Sequence, residues 1–199
     1  MARRSDHSRE EIKELALNAT EEIVAEAGFQ ALSARKVASA IGYTVGTIYL
    51  VFKNLDDLIM QVNARTLETL FKEVSAHQNK NNQKENLVQF GRAYYNFAQK
   101  NPHLWSLIFE HHVTDGGDIN PDLGERIQTL FDLVESEVGS LDVKKDKAEI
   151  HAAALGLWSS VHWITILAIT DKLFMADEIT PQEMIDQLIN NFLTGYCAK

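Results

Sequence analysis

The punctuation between Ser33 and Phe52 constrains this chain more than any other feature, because it breaks a helix-forming stretch at one defined point. Ser33 suits a helix N-cap: its hydroxyl can accept from a backbone N–H that the first helical turn leaves unpaired. Val37, Ala38 and Ile41 follow at helical spacing. Gly42 suits the positive φ of a tight turn, and Thr44 is a second N-cap two residues later. Ile48 and Phe52, at i and i+4, can face inward together while Tyr49 points elsewhere. Gly46 falls in the first turn of the new helix, where its missing side chain lets the backbone approach something large. Two short helices joined by a tight glycine turn make a helix-turn-helix. Turn and periodicity alone leave open a helical corner that binds no nucleic acid.

The rest of the chain reads as helix throughout. Three prolines and ten glycines in 199 residues leave little room for an all-β fold. Ser8 and Glu11 form a capping box, and Ile12, Leu15, Ala16, Ala19, Ile23, Val24 and Ala27 run from it to a C-cap at Gly28. Asn54, Asp56 and Asp57 start a fourth helix reaching about Ser75. Residues 76–86 are polar and read as a loop or frayed ends. A helix follows with Leu87, Phe90, Tyr94 and Phe97. Asn101-Pro102 opens a short one, since proline is favoured at the first helical position. Residues 114–121 read as a loop before a helix carrying Ile127, Leu130, Phe131, Val134 and Val138. A long apolar helix near 144–170 comes next, and Thr180-Pro181-Gln182-Glu183 caps the last one.

The single cysteine, Cys197, permits no disulfide within the chain, which points to a reducing compartment. Met1 to His7 has no apolar run behind Arg3 and Arg4, so it reads as no signal peptide and the expected location is cytoplasmic. Residues 152–170 hold no charged side chain, but Ser159, Ser160, His162, Thr165 and Thr170 fit a buried core or interface helix better than a membrane span. The net charge is −9, unevenly distributed. Residues 1–55 carry seven Lys/Arg against seven Asp/Glu, so the remainder holds the whole excess. A neutral end with a basic tip is compatible with nucleic acid even in an acidic protein.

Glu110, His111, His112 and Asp115 invite a metal-site reading. Adjacent helical histidines point about 100° apart and rarely share one ion. His151 and His162 share a face but lie roughly 16 Å apart. No Glu-x-x-His occurs, which argues against a di-iron bundle. No metal, cofactor or catalytic constellation is expected, and the chain is not read as an enzyme. The aromatic residues lie on separate helices. Most belong to the core, and some can line a cavity between helices.

The stretch from Leu32 to Leu58 resembles the DNA-binding domain of the TetR family of transcriptional regulators. The resemblance rests on Ser33, Gly42, Thr44, Gly46, Thr47, Ile48, Tyr49 and Phe52 at the family's spacing, and covers about residues 8–60. Trp158 and His162 resemble the Trp-x-x-x-His segment of one subgroup, though Trp163 stands where that subgroup tends to have glycine. A second departure is Leu55, where the family usually has a phosphate-binding lysine; Lys53 is nearby and can substitute.

The resemblance implies an all-α protein, with a three-helix helix-turn-helix domain over residues 1–55 and a helical-bundle ligand-binding and dimerisation domain over 56–199. It implies a repressor released from operator DNA by a small, apolar effector. The alternative from another class is a helical-bundle enzyme or binding protein with an incidental helix-turn-helix corner. DNA contacts are expected from Ser33, Arg35, Tyr43, Thr44, Val45, Thr47, Tyr49 and Lys53, with Arg3 and Arg4 as a basic arm. Hydroxyls at helix N-termini suit phosphates, and Val45 suits a thymine methyl. The effector is expected among Tyr94, Trp105, Phe109, Phe131, Trp158 and His162. A homodimer is expected through the last two helices, with Ile189 and Phe192 on its face, reading an inverted repeat. No membrane partner is expected.

Overall fold

The computed structural model describes residues 7–76, 78–79, 82–112, 120–141, 144–173 and 178–197. Arg3, Arg4 and Asp115, and the greater part of the 114–121 loop, lie outside the described residues. Among the described residues the protein is helical, with no strand. The helices are α1 (Arg9–Ala27), α2 (Ala34–Ala40), α3 (Val45–Val51), α4 (Leu55–Ser75), α5 (Gln83–Lys100), α6 (Pro102–Glu110), α7 (Pro121–Gly139), α8 (Lys147–Ile169) and α9 (Pro181–Cys197), with a 3-10 turn at Phe29–Ala31.

The chain divides into two compact units. The first comprises Met1–Thr66 and Asn101–Glu125, the second Leu67–Lys100 and Arg126–Lys199. The helix α4 runs through both, and α6 belongs with the N-terminal helices.

In the first unit the caps set the boundaries. Ser8 accepts from the Glu11 N–H and the Glu11 carboxylate accepts from the Ser8 N–H, closing α1. Gly28 ends α1 at φ 72°, and Gly42 carries the α2–α3 turn at φ 74°, both in the left-handed region that favours glycine. The core of this unit includes Leu17, Val24, Val37, Ile48, Phe52, Leu58, Val62 and Leu107. Leu107 is the contribution of α6. Further ties join α6, α4 and α1. His111 Nε2–H donates to Asp56 at 2.9 Å, His103 Nδ1–H donates to the Ala25 carbonyl at 2.9 Å, and Arg65 bridges to Glu14 and Asn18 of α1.

In the second unit α5, α8 and α9 pack on one another. Gly91 lets α5 pack tightly on α9, since a Cβ there would lie 2.7 Å from Ile189 Cδ1 and 2.8 Å from Ile185 Cγ2. The stripe Ala154, Leu157, Val161 and Thr165 is the buried side of α8. This helix is long and apolar enough to cross a membrane by length and composition, and only 22% of its most apolar window is buried inside the chain. Arg92 clamps α5 to α9 through two bonds to Asp186, at 2.7 and 2.6 Å.

Two expectations change. Asn86, read as part of a polar loop, is 1% exposed. It sits inside α5, where its amide donates to Glu137 of α7 at 2.9 Å and to the Asn79 carbonyl at 2.8 Å. Ile189, expected on a dimer face, is 1% exposed within its own chain.

Candidate nucleic-acid interface and effector cavity

The described residues expected to meet DNA lie in the first unit, on α2 and its N-cap, the turn, α3 and the corner that follows it. Ser33 and Thr44 are both N-caps, accepting from the N–H groups of Lys36 and Thr47 at 3.3 Å each. The Thr44 and Thr47 hydroxyls also lie 3.0 Å apart, so each threonine side chain is held in one direction. Tyr43, in the turn, has its hydroxyl 2.8 Å from His7 Nδ1, which ties His7 to the α2–α3 turn. Arg35, Lys36 and Lys53 are exposed. The Lys53 N–H donates to Asp57 at 2.9 Å, fixing the α3–α4 corner. Leu55, in place of a lysine, packs against the core of this unit.

Opposite faces of α3 do different work. Ile48 is fully buried, and Phe52, just past the helix, is 2% exposed. Val45 and Val51 are half-buried against the same core. Tyr49 and Leu50 point out, 48% and 68% exposed. Lys36 and Leu50 were not among the expected contacts. Lys36 could have been found from its place in the first turn of α2. Leu50 could have been found from its position nearly opposite Ile48 on the helical wheel.

The second unit contains an apolar cavity, partly open to solvent, with a free interior of about 50 Å³. Its walls come from five helices: Val74 of α4; Leu87, Phe90, Gly91 and Tyr94 of α5; Leu130 and Val134 of α7; Leu157, Trp158 and Val161 of α8; and Ile189 of α9. No charged side chain lines it. Its polar edge is an aromatic cluster: the Tyr94 hydroxyl lies 2.7 Å from His162 Nδ1, and the Trp158 ring stacks on His162 at 5.0 Å. Burial lowers the His162 pKa below its usual value and favours the neutral imidazole.

Of the residues expected at an effector site, Tyr94 and Trp158 line this cavity and His162 backs them. Phe131 faces His151 instead, with ring centroids 5.4 Å apart. Trp105 and Phe109 pack on each other at 4.8 Å in the first unit. The aliphatic wall was invisible to the sequence reading, because a leucine facing a cavity and one facing a core look alike.

Two family models match the chain. The one described as bacterial regulatory proteins of the tetR family matches residues 16–62. The one described as the tetracyclin repressor-like C-terminal domain matches residues 87–192. No curated protein sequence matches. Among solved structures, a protein of unknown function from Rhodococcus sp. RHA1 is similar over 98% of each chain, with TM-score 0.77 and 16% identity. A tetR-family transcriptional regulator from Streptomyces coelicolor is similar over 96% of this chain and 84% of its own, with TM-score 0.70 and 16% identity. The fatty acid degradation regulator FadR from Bacillus halodurans is similar over 91% of this chain and 94% of its own, with TM-score 0.63 and 14% identity. At such identities the structural likeness speaks for the fold. The two family models, one covering the reading head and the other more than half the chain, speak for descent: the chain belongs to the TetR family of DNA-binding transcriptional regulators.

Proposed function

We propose that this regulator is a repressor, that it holds an inverted-repeat operator as a homodimer, and that a small, neutral, apolar molecule bound in the second unit releases it. The observation that carries the release is the cavity. Its walls are apolar and offer a water few of the two to four polar partners that hold one in place. Its free interior is about 50 Å³, so an effector of several heavy atoms seats fully only when the walls move apart. Two of the wall helices continue along the chain toward the reading head: α4 begins at Leu55, beside α3, and α5 is followed through Asn101 by α6. A ligand that binds only the widened form shifts the population toward it.

The effector is neutral, because a carboxylate or ammonium there would be buried without a counter-charge. Tyr94 and His162 provide its one polar edge. The DNA contacts proposed are Ser33, Arg35, Tyr43, Thr44, Thr47, Tyr49 and Lys53, mostly to phosphates, with Val45 at the margin of the groove and Arg3 and Arg4 as an arm.

The test uses a matched pair of probes, toluene and benzoate, with Trp158 fluorescence and retention of operator DNA as readouts. Toluene is expected to bind and to loosen the operator complex, and benzoate to do neither. Linkage then requires operator DNA to weaken toluene binding by the same factor, about 5- to 150-fold for coupling of typical size. Equal toluene affinity with and without operator would reject induction through this cavity.

A further inference from the structure

We propose that Leu50 is the base-reading side chain of α3, and that it recognises the C5-methyl group of thymine in each half-site. The inference rests on the reading above that the helix-turn-helix holds operator DNA, and takes α3, its second helix, to lie in the major groove. At 68% exposure, Leu50 is the most exposed large apolar side chain among the described residues. Its direction is set by the core. With Ile48 fully buried as the inward reference, a turn of about 100° per residue puts Gly46 and Leu50 about 160° and 200° round the helix. These two positions, one turn apart, form the ridge farthest from the core. A Cβ at Gly46 would meet only Thr44 Oγ1, at 3.7 Å, so no described residue covers that ridge. The glycine lets the backbone come near, and Leu50 becomes the side chain that reaches deepest.

The chemistry then narrows the target. From Val45 to Val51, α3 carries no Arg, Lys, Asn, Gln, Asp or Glu, so it cannot make the bidentate contacts that select guanine or adenine. The Thr47 hydroxyl is engaged with Thr44 at 3.0 Å. Leucine offers only an apolar surface, and the apolar feature that distinguishes one base edge in the major groove is the thymine methyl. Val45, expected to take this role from the sequence, is half-buried against the core, and Leu50 stands free of it.

The experiment starts with the full-length protein and a random duplex pool, from which a bound sequence is selected. Each thymine is then replaced singly by deoxyuridine, which deletes the methyl and nothing else. Wild type is expected to lose about fourfold in affinity at one position per half-site, the worth of one methyl group returned to water. Leu50→Ala, an exposed helical change whose fold is checked by circular dichroism, is expected to show no loss at that position. Leu50→Gln, put through a second selection, is expected to prefer adenine there, because glutamine can pair with its N6 and N7. A flat deoxyuridine scan for wild type, or an equal loss in wild type and Leu50→Ala, overturns the inference while leaving DNA binding by α3 standing. Failure of wild type to enrich any duplex would sink both readings, and would be seen as absent binding, not as a missing methyl effect.

Discussion

His162 is the residue where stability and the proposed effector site meet. It is half-buried between Tyr94 and Trp158, and burial lowers its pKa from the usual 6.5. The hydrogen bond to Tyr94 does not create that shift, because it survives protonation: Nδ1 can accept from the hydroxyl when neutral and donate to it when charged. The cost of the charged form is lost hydration. Above about pH 6.5 the imidazole is neutral folded and unfolded, and contributes no pH slope. As the pH falls below that value the unfolded chain takes up a proton first, so the unfolded state gains and stability drops until the folded pKa is passed. Urea unfolding from about pH 7 to 5.5 is therefore expected to show a declining stability that is shallower in His162→Gln. Parallel declines in the two proteins would show that His162 stays solvated in the folded state.

At the scale of the element, α8 poses the sharpest question. Its buried stripe runs Ala154, Leu157, Val161 and Thr165, while Leu155 and Trp163 on other faces are 45% and 60% exposed. A helix that is apolar all round has one side left over, and a two-fold partner is the natural cover in a homodimer. Leu155→Arg and Trp163→Glu are expected to give folded monomers by light scattering and circular dichroism. Ile189→Glu, which places a charge among buried neighbours, is expected to unfold the chain instead. Dimers that persist in both surface variants would move the interface elsewhere. This helix also marks the limit of sequence reading. Where a short polar side chain precedes a periodic run, as at Ser8, Ser33, Thr44 and Thr180, the hydrogen bond that starts the helix is local, and the start was legible. The inward pair Ile48 and Phe52 was legible from its i, i+4 spacing, although Leu50 on the opposite side of α3 is just as apolar. Apolar residues on every face of α8 give periodicity no phase, so the buried stripe could not be told from the exposed one. Asn86 was misread because its partner Glu137 lies 51 residues away. The aromatic candidates divided between two units for the same cause: what separates Trp158 from Trp105 is the surrounding packing, which has no local signature.

At the scale of the whole molecule, charge decides how a protein of net charge −9 can hold a polyanion. The excess of acidic residues lies beyond residue 55, where 21 Asp/Glu face 12 Lys/Arg. Screening shortens the reach of that repulsion to about 8–10 Å at physiological salt, so charges on the reading head count most at the contact. On α2 and the α3–α4 corner the exposed cations are Arg35, Lys36 and Lys53, because Leu55 occupies the place of a further lysine. Three cations per head make six per dimer, and each phosphate neutralised adds about −0.9 to the slope of log affinity against log salt. These six alone predict a slope of about −5. Arg3 and Arg4, if they reach phosphates as proposed, add four more per dimer and carry the slope to about −9. The full chain is therefore expected near the steeper value, and a chain beginning at His7 near the shallower one, with the operator measured in both cases between low and moderate salt. Identical slopes would remove the arm from the interface. A slope near zero for both would mean that the cations of the head do not meet phosphate, and it would return the corner at Gly42 to a purely structural role.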